Sequence, residues 1–132
     1  MDTSVILDVF GADVTFGAPS KEALWSCITR GRLVACEVFW SEVTGFSPSP
    51  NAAQFATERL QLDFSPLTME SALEAGKAWK SYRQQGGQRA RVAADFLIGA
   101  HALCQADQLL TRDRGCYRSY FKRLTIQDPG RI

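Results

Sequence analysis

Residues 94–114, ADFLIGAHALCQADQLLTRDR, join a largely apolar helical stretch to a short apolar strand and an acidic residue. The helical part is apolar on more than one side, which predicts a helix buried inside the protein. QLLT then reads as a strand, and Asp113 follows Thr111 after one intervening arginine. Asp95 interrupts the apolar helix, where a buried charge needs a partner or a cation. The stretch therefore predicts a buried helix and a strand, with an acid at each.

Helical and strand-like segments alternate along the rest of the chain as well. Further helices are predicted at PSKEALWSCITRG (19–31), EVFWSEVTGF (37–46), AAQFATERLQL (52–62) and residues 68–85. Further strands are predicted at RLVAC (32–36), LDFSPL (62–67) and LTIQ (124–127). VILDVFG (5–11) fits either a short strand or a helical turn. This alternation favours an α/β domain whose mainly parallel sheet is covered by helices on both faces.

The ends of the first of these helices carry their own signals. Ser20 is the predicted N-cap, with Pro19 just outside the helix, and Gly31 lies just past its end. The apolar residues Leu24, Cys27 and Ile28 fall at helical spacing.

Length and composition indicate one globular domain over residues 1–132. Hydrophobic residues make up 45% of the chain and charged residues 22%, which is ordinary for such a domain. No apolar run approaches the roughly 20 residues that span a bilayer, and no secretory signal opens the sequence. We therefore expect a cytoplasmic protein without membrane contact. The four cysteines show no C-x-x-C spacing, so we expect reduced thiols rather than a zinc site.

Charge is unevenly distributed although the net charge is only +1. Residues 1–76 contain 4 basic and 10 acidic side chains, whereas residues 77–132 contain 11 basic and 4 acidic ones. Such asymmetry is typical of a protein whose basic half binds an anion, although a solvated basic face would look the same.

Four acids are candidates for one site, because ligands of open parallel sheets gather where the strands end. Asp113 follows a strand, Glu42 lies in the helix after RLVAC, and Asp95 lies in the apolar helix. Asp2 joins them if a strand ends just before it. Carboxylates that share one edge repel each other unless divalent cations neutralise them, and oxygen ligands suit Mg²⁺ or Mn²⁺. Such a site can activate water to hydrolyse a phosphodiester.

Each acid also has an ordinary structural interpretation. Asp2 can be a frayed terminal residue, Glu42 a surface residue of an amphipathic helix, and Asp113 a turn residue. Asp95 can be a helix N-cap or the partner of Arg91. The apolar surroundings of Asp95 make it the strongest candidate of the four.

Several of these segments resemble one known family. DTSVILD (2–8), SEV (41–43), ADFLIGAHAL (94–103) and LLTRDR (109–114) resemble, in order and spacing, the PIN-domain family. Within it, the chain is most similar to VapC-like ribonuclease toxins of bacterial toxin–antitoxin pairs. The resemblance continues to LTIQDP (124–129) and implies a three-layer α/β/α fold around a mainly parallel sheet. It also implies Mg²⁺- or Mn²⁺-dependent cleavage of single-stranded or looped RNA.

The resemblance assigns roles to individual residues. It implies metal-binding, catalytic acids at Asp2, Glu42, Asp95 and Asp113, and supporting hydroxyl groups at Thr3, Ser4 and Thr111. The implied partners are an RNA substrate, a cognate antitoxin protein and a second copy of the chain in a homodimer.

The basic half of the chain agrees with this reading. Arginines flank Asp95 and Asp113 in the sequence and are candidates for contacts to RNA phosphates: Arg83, Arg89, Arg91, Arg112, Arg114 and Arg118. Tyr82, Tyr117, Tyr120 and Phe121 could stack on bases, but packing is the more common role for such rings. His101 is expected to be a packed residue rather than a catalytic base.

One departure from the family pattern concerns the first strand. Family members usually carry several apolar residues before the first Asp, whereas only Met1 precedes Asp2 here. We therefore expect a truncated first strand and a natural chain that begins upstream.

Three functions remain open at this point. The leading hypothesis is the metal-dependent endoribonuclease, and the alternative is a non-catalytic PIN-like module that binds RNA or protein. A receiver domain or phosphatase also carries an Asp after its first strand, but it needs a Lys after a later strand, and none follows QLLT.

Overall fold

The computed structural model describes residues 1–10, 15, 17–46, 51, 54, 58–86, 93–112 and 114–129. Its helices are α1 (Thr3–Phe10), α2 (Gly17–Arg30), α3 (Glu37–Phe46), α4 (Met69–Gln84), α5 (Ala93–Gln105) and α6 (Arg114–Tyr120). Its strands are β1 (Val34–Ala35), β2 (Asp63–Phe64), β3 (Leu109–Leu110) and β4 (Ile126–Gln127). The ambiguous segment after Asp2 is thus a helix. Five of the eleven residues of the helix predicted over residues 52–62 lie outside the described residues; Gln54, Glu58 and Arg59 are helical, and Gln61 and Leu62 are not.

Residues 1–2 connect two pairs of parallel strands. β1 pairs with β2 and β3 pairs with β4, both in parallel. The Met1 nitrogen donates to the Val34 carbonyl at 3.0 Å, and the Asp2 N–H donates to the Leu110 carbonyl at 3.1 Å. The two residues before α1 therefore lie between β1 and β3, and the prediction of a mainly parallel sheet is confirmed.

Neighbouring strand residues pack into two different hydrophobic cores. Leu110 belongs to the core formed with α1, α2 and α3, whereas Leu109 belongs to the core formed with α4, α5 and α6. Ala35 and Cys36 divide between the same two cores. Because successive side chains of a strand point to opposite faces, the strands form a layer between two layers of helices. The predicted three-layer α/β/α fold is confirmed.

Two local predictions are wrong. Helix α2 begins at Gly17, so Ser20 lies inside the helix and is not its N-cap. Pro19 is tolerated there because N–H groups of the first turn have no partner within the helix. The Gly31 N–H donates to the Cys27 carbonyl at 2.9 Å, so the predicted end of α2 is confirmed.

The second wrong prediction concerns helix α6. It lies in a segment for which the sequence predicted only a connection between two strands.

Side chains of α5 and α3 hold residues 65–68, the segment that leads into α4. Gln105 Oε1 accepts hydrogen bonds from Thr68 N at 3.1 Å and from Ser71 Oγ at 2.7 Å. Gln105 Nε2 donates to the Pro66 carbonyl at 2.9 Å. Thr68 is itself the N-cap of α4 and accepts from Ser71 N. The start of α4 is thereby fixed to the end of α5.

Glu37 and His101 also contact residues 65–68. Glu37 Oε1 accepts the Leu67 N–H at 2.8 Å, and His101 Nε2 lies 3.0 Å from Ser65 Oγ. His101 is buried, which confirms its predicted packing role, and burial lowers the pKa of its imidazole.

Cys27, Cys36 and Cys104 are free thiols in the described part of the chain. Within the described ranges, no helix combines the length and apolar character that crossing a membrane requires.

Candidate active site

The candidate site lies where the chain leaves the strand layer. Asp2 follows Met1 and begins the connection into α1, and Thr111 directly follows β3. The backbone bond from Asp2 N to Leu110 O brings these two positions side by side, although they are distant in sequence. Thr111 N in turn donates to the Gln127 carbonyl at 3.0 Å, which continues the strand ladder beyond β3. Parallel strands therefore place an acid and a hydroxyl at one edge, as expected for this class of sheet.

The Asp2 carboxylate is buried and held by two hydroxyl groups. Ser4 Oγ donates to Asp2 Oδ2 at 3.0 Å, and Thr111 Oγ1 donates to the same oxygen at 2.5 Å. Asp2 itself is only 6% exposed. Hydrogen bonds to an ionised acceptor are short and strong, and two donors fix the orientation of the carboxylate. Both bonds use Oδ2, so Oδ1 is not engaged by either hydroxyl.

A third hydroxyl, on the residue after Asp2, holds the second acid. Thr3 Oγ1 donates to Glu42 Oε1 at 2.8 Å, which orients the half-buried Glu42 side chain on α3. Thr3 is buried and begins α1 directly after Asp2. Two separate sets of hydrogen bonds thus hold the acids: Ser4 and Thr111 hold Asp2, and Thr3, the residue next to Asp2 in the chain, holds Glu42.

The other two predicted acids are described less fully. Asp95 lies half-buried in the first turn of α5, and Asp113 lies outside the described residues. Among the described residues, which therefore leave out Asp113, no three Asp, Glu, His or Cys side chains are grouped closely enough to hold a metal ion. The donor types nevertheless fit a hard cation, because Mg²⁺ and Mn²⁺ prefer carboxylate oxygens. Asp2 and Glu42 are the two predicted ligands whose contacts the structure describes.

Burial also sets the charge of other groups near the strand ends. Burial raises the pKa of the Cys36 thiol, which follows β1, so this side chain is neutral near pH 7. Burial lowers the pKa of the Met1 amino group, while the Asp2 charge acts in the opposite direction. Neutral sulfur is a poor ligand for a hard cation, so oxygen donors dominate this edge of the sheet.

The structure describes the side chains of three of the six predicted RNA-binding arginines. Arg112 is half-buried directly after Thr111, and Arg118 is exposed on α6. Arg83 is exposed near the end of α4, with its guanidinium carbon 5.5 Å from the centre of the Trp79 ring. Arg89 and Arg91 lie outside the described residues, and so does the side chain of Arg114, the first residue of α6.

The aromatic residues near Asp95 form a packed cluster. Phe96 contacts the rings of Tyr82 at 5.4 Å and Tyr120 at 5.8 Å between centroids. Tyr117 and Phe121 are buried, so packing is their role. Tyr82 and Tyr120 are half-buried and meet edge to face at 5.6 Å.

Sequence reasoning missed Gln105 and Ser65, because bonds from a side chain to a distant loop leave no pattern in the sequence.

The chain belongs to the PIN-domain family. The family model "PIN domain" matches residues 1–122, which include every described residue of the site. The α/β/α fold is the one expected of this family. No curated protein sequence matches the chain significantly.

Solved structures with the same fold include two bacterial complexes. One is VapBC2 from Rickettsia felis, bound to a DNA fragment from its promoter. The match has a TM-score of 0.72 at 13% identity and covers 96% of this chain and 95% of the other. The second is VapBC-1 from nontypeable Haemophilus influenzae, with a TM-score of 0.69 at 21% identity, covering 97% and 95%. At these identities the similarity shows a shared fold.

Proposed function

We propose that the protein is a metal-dependent endoribonuclease that hydrolyses phosphodiester bonds of single-stranded or looped RNA. The observation that carries this proposal is the arrangement of Asp2 and Glu42, two acids oriented by hydroxyl groups at the strand ends of a PIN-domain chain. Burying a carboxylate is costly, so a buried acid whose orientation is fixed by neutral donors suits a charged ligand. Hydrogen bonds alone would leave its negative charge uncompensated.

The proposed metal ligands are Asp2, Glu42, Asp95 and Asp113, which would hold Mg²⁺ or Mn²⁺. Such a cation supplies an activated water and stabilises the charge that develops on the phosphate. Ser4 and Thr111 hold Asp2 Oδ2, which keeps Oδ1 directed to one position, and Thr3 does the same for Glu42. Residues that orient metal ligands commonly change metal affinity or activity by about 10–100-fold when they are replaced.

The proposed substrate contacts come from the basic half of the chain. Arg112 follows Thr111 directly, so its side chain leaves the backbone beside the site. Arg83, Arg89, Arg91, Arg114 and Arg118 are the other proposed phosphate contacts, and Arg89, Arg91 and the Arg114 side chain lie outside the described residues. Contacts to phosphates position the RNA without reading its sequence.

The proposed biological role is that of a toxin in a toxin–antitoxin pair in the cytoplasm. The two solved structures described above are VapBC complexes, which supports a cognate antitoxin as partner for this chain. The proposed assembly is a homodimer in contact with that antitoxin.

Cleavage of a labelled single-stranded RNA with and without Mn²⁺ tests the activity. We expect cleavage that requires Mn²⁺ or Mg²⁺ and falls at least about 100-fold in Asp2→Asn, because a ligand loses its charge. Thr111→Val should lower the rate about 10–100-fold by releasing Asp2 Oδ2. Asp63→Asn is the matched control, because Asp63 is an exposed acid paired with Arg32. Metal-independent cleavage, or an Asp2→Asn variant as fast as the parent, would refute the proposal.

A second candidate function is a PIN-like module that binds RNA or protein without cutting it. It is favoured by the lack of a three-acid group within the described residues, which exclude Asp113. A thermal titration with Mn²⁺ separates the two, because a ligand at 100 times its dissociation constant stabilises by about 2.7 kcal/mol. A shift in the parent that is lost in Asp2→Asn supports the nuclease, and no shift supports the binding module.

A further inference from the structure

A groove bordered by α4, α6 and the turn after α6 is lined mainly by polar and charged side chains. Its volume of about 370 Å³ lies in the range of about 300–1,000 Å³ that is typical of small-molecule sites. The charged residues that line it in the described part of the chain are Glu74, Lys77, Lys122 and Arg123. Three cations and one acid give the lining a formal charge of +2, and none of the four is among the residues proposed for the nuclease. The groove is therefore a separate candidate site for an anion.

Two of the cations lie on a turn whose backbone is fixed. The Leu124 N–H donates to the Phe121 carbonyl at 3.0 Å, so Lys122 and Arg123 occupy the two central positions of a β-turn. Phe121 is buried, and its own N–H donates to the Tyr117 carbonyl at 2.9 Å, which attaches the turn to the end of α6. A pre-ordered backbone loses less conformational entropy on binding than a free loop does. The segment that carries the two cations is thus ordered before a ligand arrives.

Lys122 and Arg123 are available to such a ligand. Both are exposed, and neither forms an ion pair with the part of the chain that the structure describes. Lys77, by contrast, lies 3.2 Å from Glu74 and is paired with that acid. A guanidinium presents five donors in a planar arrangement that matches phosphate oxygens, and an ammonium adds a compact charge. These two side chains therefore favour an anion with several oxygen atoms.

A hydroxyl group adds a neutral donor to the two cations. Gln85 Nε2 donates to Ser81 Oγ at 3.2 Å, and the Tyr120 hydroxyl lies 3.5 Å from Gln85 Oε1. Because Ser81 Oγ is the acceptor of the first bond, its own proton is left for a further acceptor, which no described residue supplies. Ser81 lines the groove. The groove thus combines charged and neutral donors, both of which bind phosphate oxygens.

We propose that this groove binds a phosphate monoester, with Lys122, Arg123 and Ser81 as donors to its oxygens. At pH 7 such a group carries a charge of about −1.5 to −2, which matches the formal charge of the lining. Leu103 and the ring of Tyr120 also line the groove and provide a surface for a nucleobase. The ligand is a nucleoside monophosphate or the phosphorylated end of an RNA strand, which present the same chemical group. The site goes beyond the proposed function and does not depend on the nuclease activity.

Isothermal titration calorimetry with adenosine 5′-monophosphate tests the site. The buffer contains EDTA, because the carboxylates of the proposed nuclease site repel a phosphate when no divalent cation is bound. The parent should bind the nucleotide at least about 10-fold more tightly than uncharged adenosine. Lys122→Gln and Arg123→Gln should each weaken binding about 10-fold, because each removes a charged donor. Ser81→Ala should weaken it less, by about 3-fold, because the lost donor is neutral.

Two further variants make the test specific to the groove. Glu74→Gln should tighten binding about 3-fold, because it removes the acid of the lining and releases Lys77 from its pair. Lys21→Gln is the matched control, since Lys21 is exposed on α2 outside the groove and its loss should leave the affinity unchanged.

A second measurement identifies the source of the phosphate. Single-stranded RNA with a 5′-phosphate and the same RNA with a 5′-hydroxyl are compared for binding to Asp2→Asn, again in EDTA. A preference of at least about 10-fold for the phosphorylated RNA, lost when Arg123→Gln is added, assigns the groove to RNA ends. Nucleotide binding without that preference assigns it to free nucleotides, and both results support the proposal.

Two results would overturn the proposal. One is a parent that does not bind the nucleotide even at about 10 mM, which corresponds to less than about 3 kcal/mol of binding free energy. The other is an equal loss of affinity in Arg123→Gln and Lys21→Gln, which would show a general charge effect. Neither result bears on metal-dependent cleavage, so failure of this proposal and failure of the proposed function are distinguishable.

Discussion

Gly99 provides the sharpest test of how the buried helix α5 packs. The glycine is buried where α5 meets α6 and the residue after it. A Cβ at this position would lie 2.6 Å from Phe121 Cε2 and 3.0 Å from Tyr117 Cδ1. Carbon atoms at optimal contact are about 3.5–4.0 Å apart. Gly99→Ala therefore requires the Phe121 ring to move by roughly 1 Å.

The cost follows from what surrounds that ring. Phe121 packs against Tyr117 and Phe96, with centroids 6.4 and 6.5 Å away, so it cannot move alone. Overpacking by one methyl costs about 1–3 kcal/mol, and the better helix propensity of alanine returns up to about 1 kcal/mol. Because two other rings hold Phe121 in place, the upper part of that range applies, about 2–3 kcal/mol, and we expect a net loss of about 1–2 kcal/mol. With an unfolding entropy of about 2.1 cal/mol/K per residue, this corresponds to a fall in Tm of about 4–7 °C.

The assay is thermal unfolding by circular dichroism, with Gly45→Ala as the matched control. Gly45 is exposed on α3, and a Cβ there meets nothing within 4 Å. Its substitution should leave Tm unchanged or raise it slightly. Gly99→Ala in a Phe121→Leu background should cost less than in the parent, because the clashing ring is gone. A Gly99→Ala protein that melts at or above the parent Tm would refute this description of the packing.

Three further predictions concern polar contacts. Gln105→Ala should lower stability by about 1–3 kcal/mol in urea unfolding, because the Thr68 N–H loses its acceptor; Gln105→Glu, which keeps an acceptor, should lose less. Burial lowers the pKa of His101 in the folded state below its unfolded value near 6.5. At pH values between the folded and the unfolded pKa, the unfolded state therefore binds more protons than the folded state. Stability should therefore fall as pH drops from 7 towards 5 in the parent but not in His101→Gln, and equal slopes would contradict the assignment. Arg32→Ala should change stability by less than about 1 kcal/mol, because its ion pair with Asp63 is exposed; a larger loss would be unexpected.

The fold was predictable where local signals were strong. Helix α4 has the longest helical pattern, and Thr68 supplies its N-cap, so its bounds were predicted within a residue or two. Helix α6 was missed because it has seven residues, among them Gly115, and charged side chains interrupt its pattern. Short helices depend on tertiary packing, here on the burial of Tyr117, rather than on propensity.

The candidate site was predictable only in part, for a different reason. Residue types suggested a cation site, and the family resemblance singled out Thr3, Ser4 and Thr111 as supporting hydroxyls. Which hydroxyl contacts which acid depends on strand register, and two-residue strands carry too little pattern to specify it. The structure supplied that pairing, with Thr111 and Ser4 on Asp2 and Thr3 on Glu42. The metal-binding roles of all four acids stay predictions.

The bond from Thr111 to Asp2 also has a consequence for synthesis of the chain. It joins residues 109 positions apart, so Asp2 leaves the ribosome long before its partner exists. At about 5–20 residues per second, the delay is about 5–20 s. During that interval the acid remains hydrated and has no fixed orientation, and contacts of such sequence separation also form slowly in folding. A translation product that stops before residue 111 should therefore lack an organised site, and any activity should first arise in chains that are nearly complete.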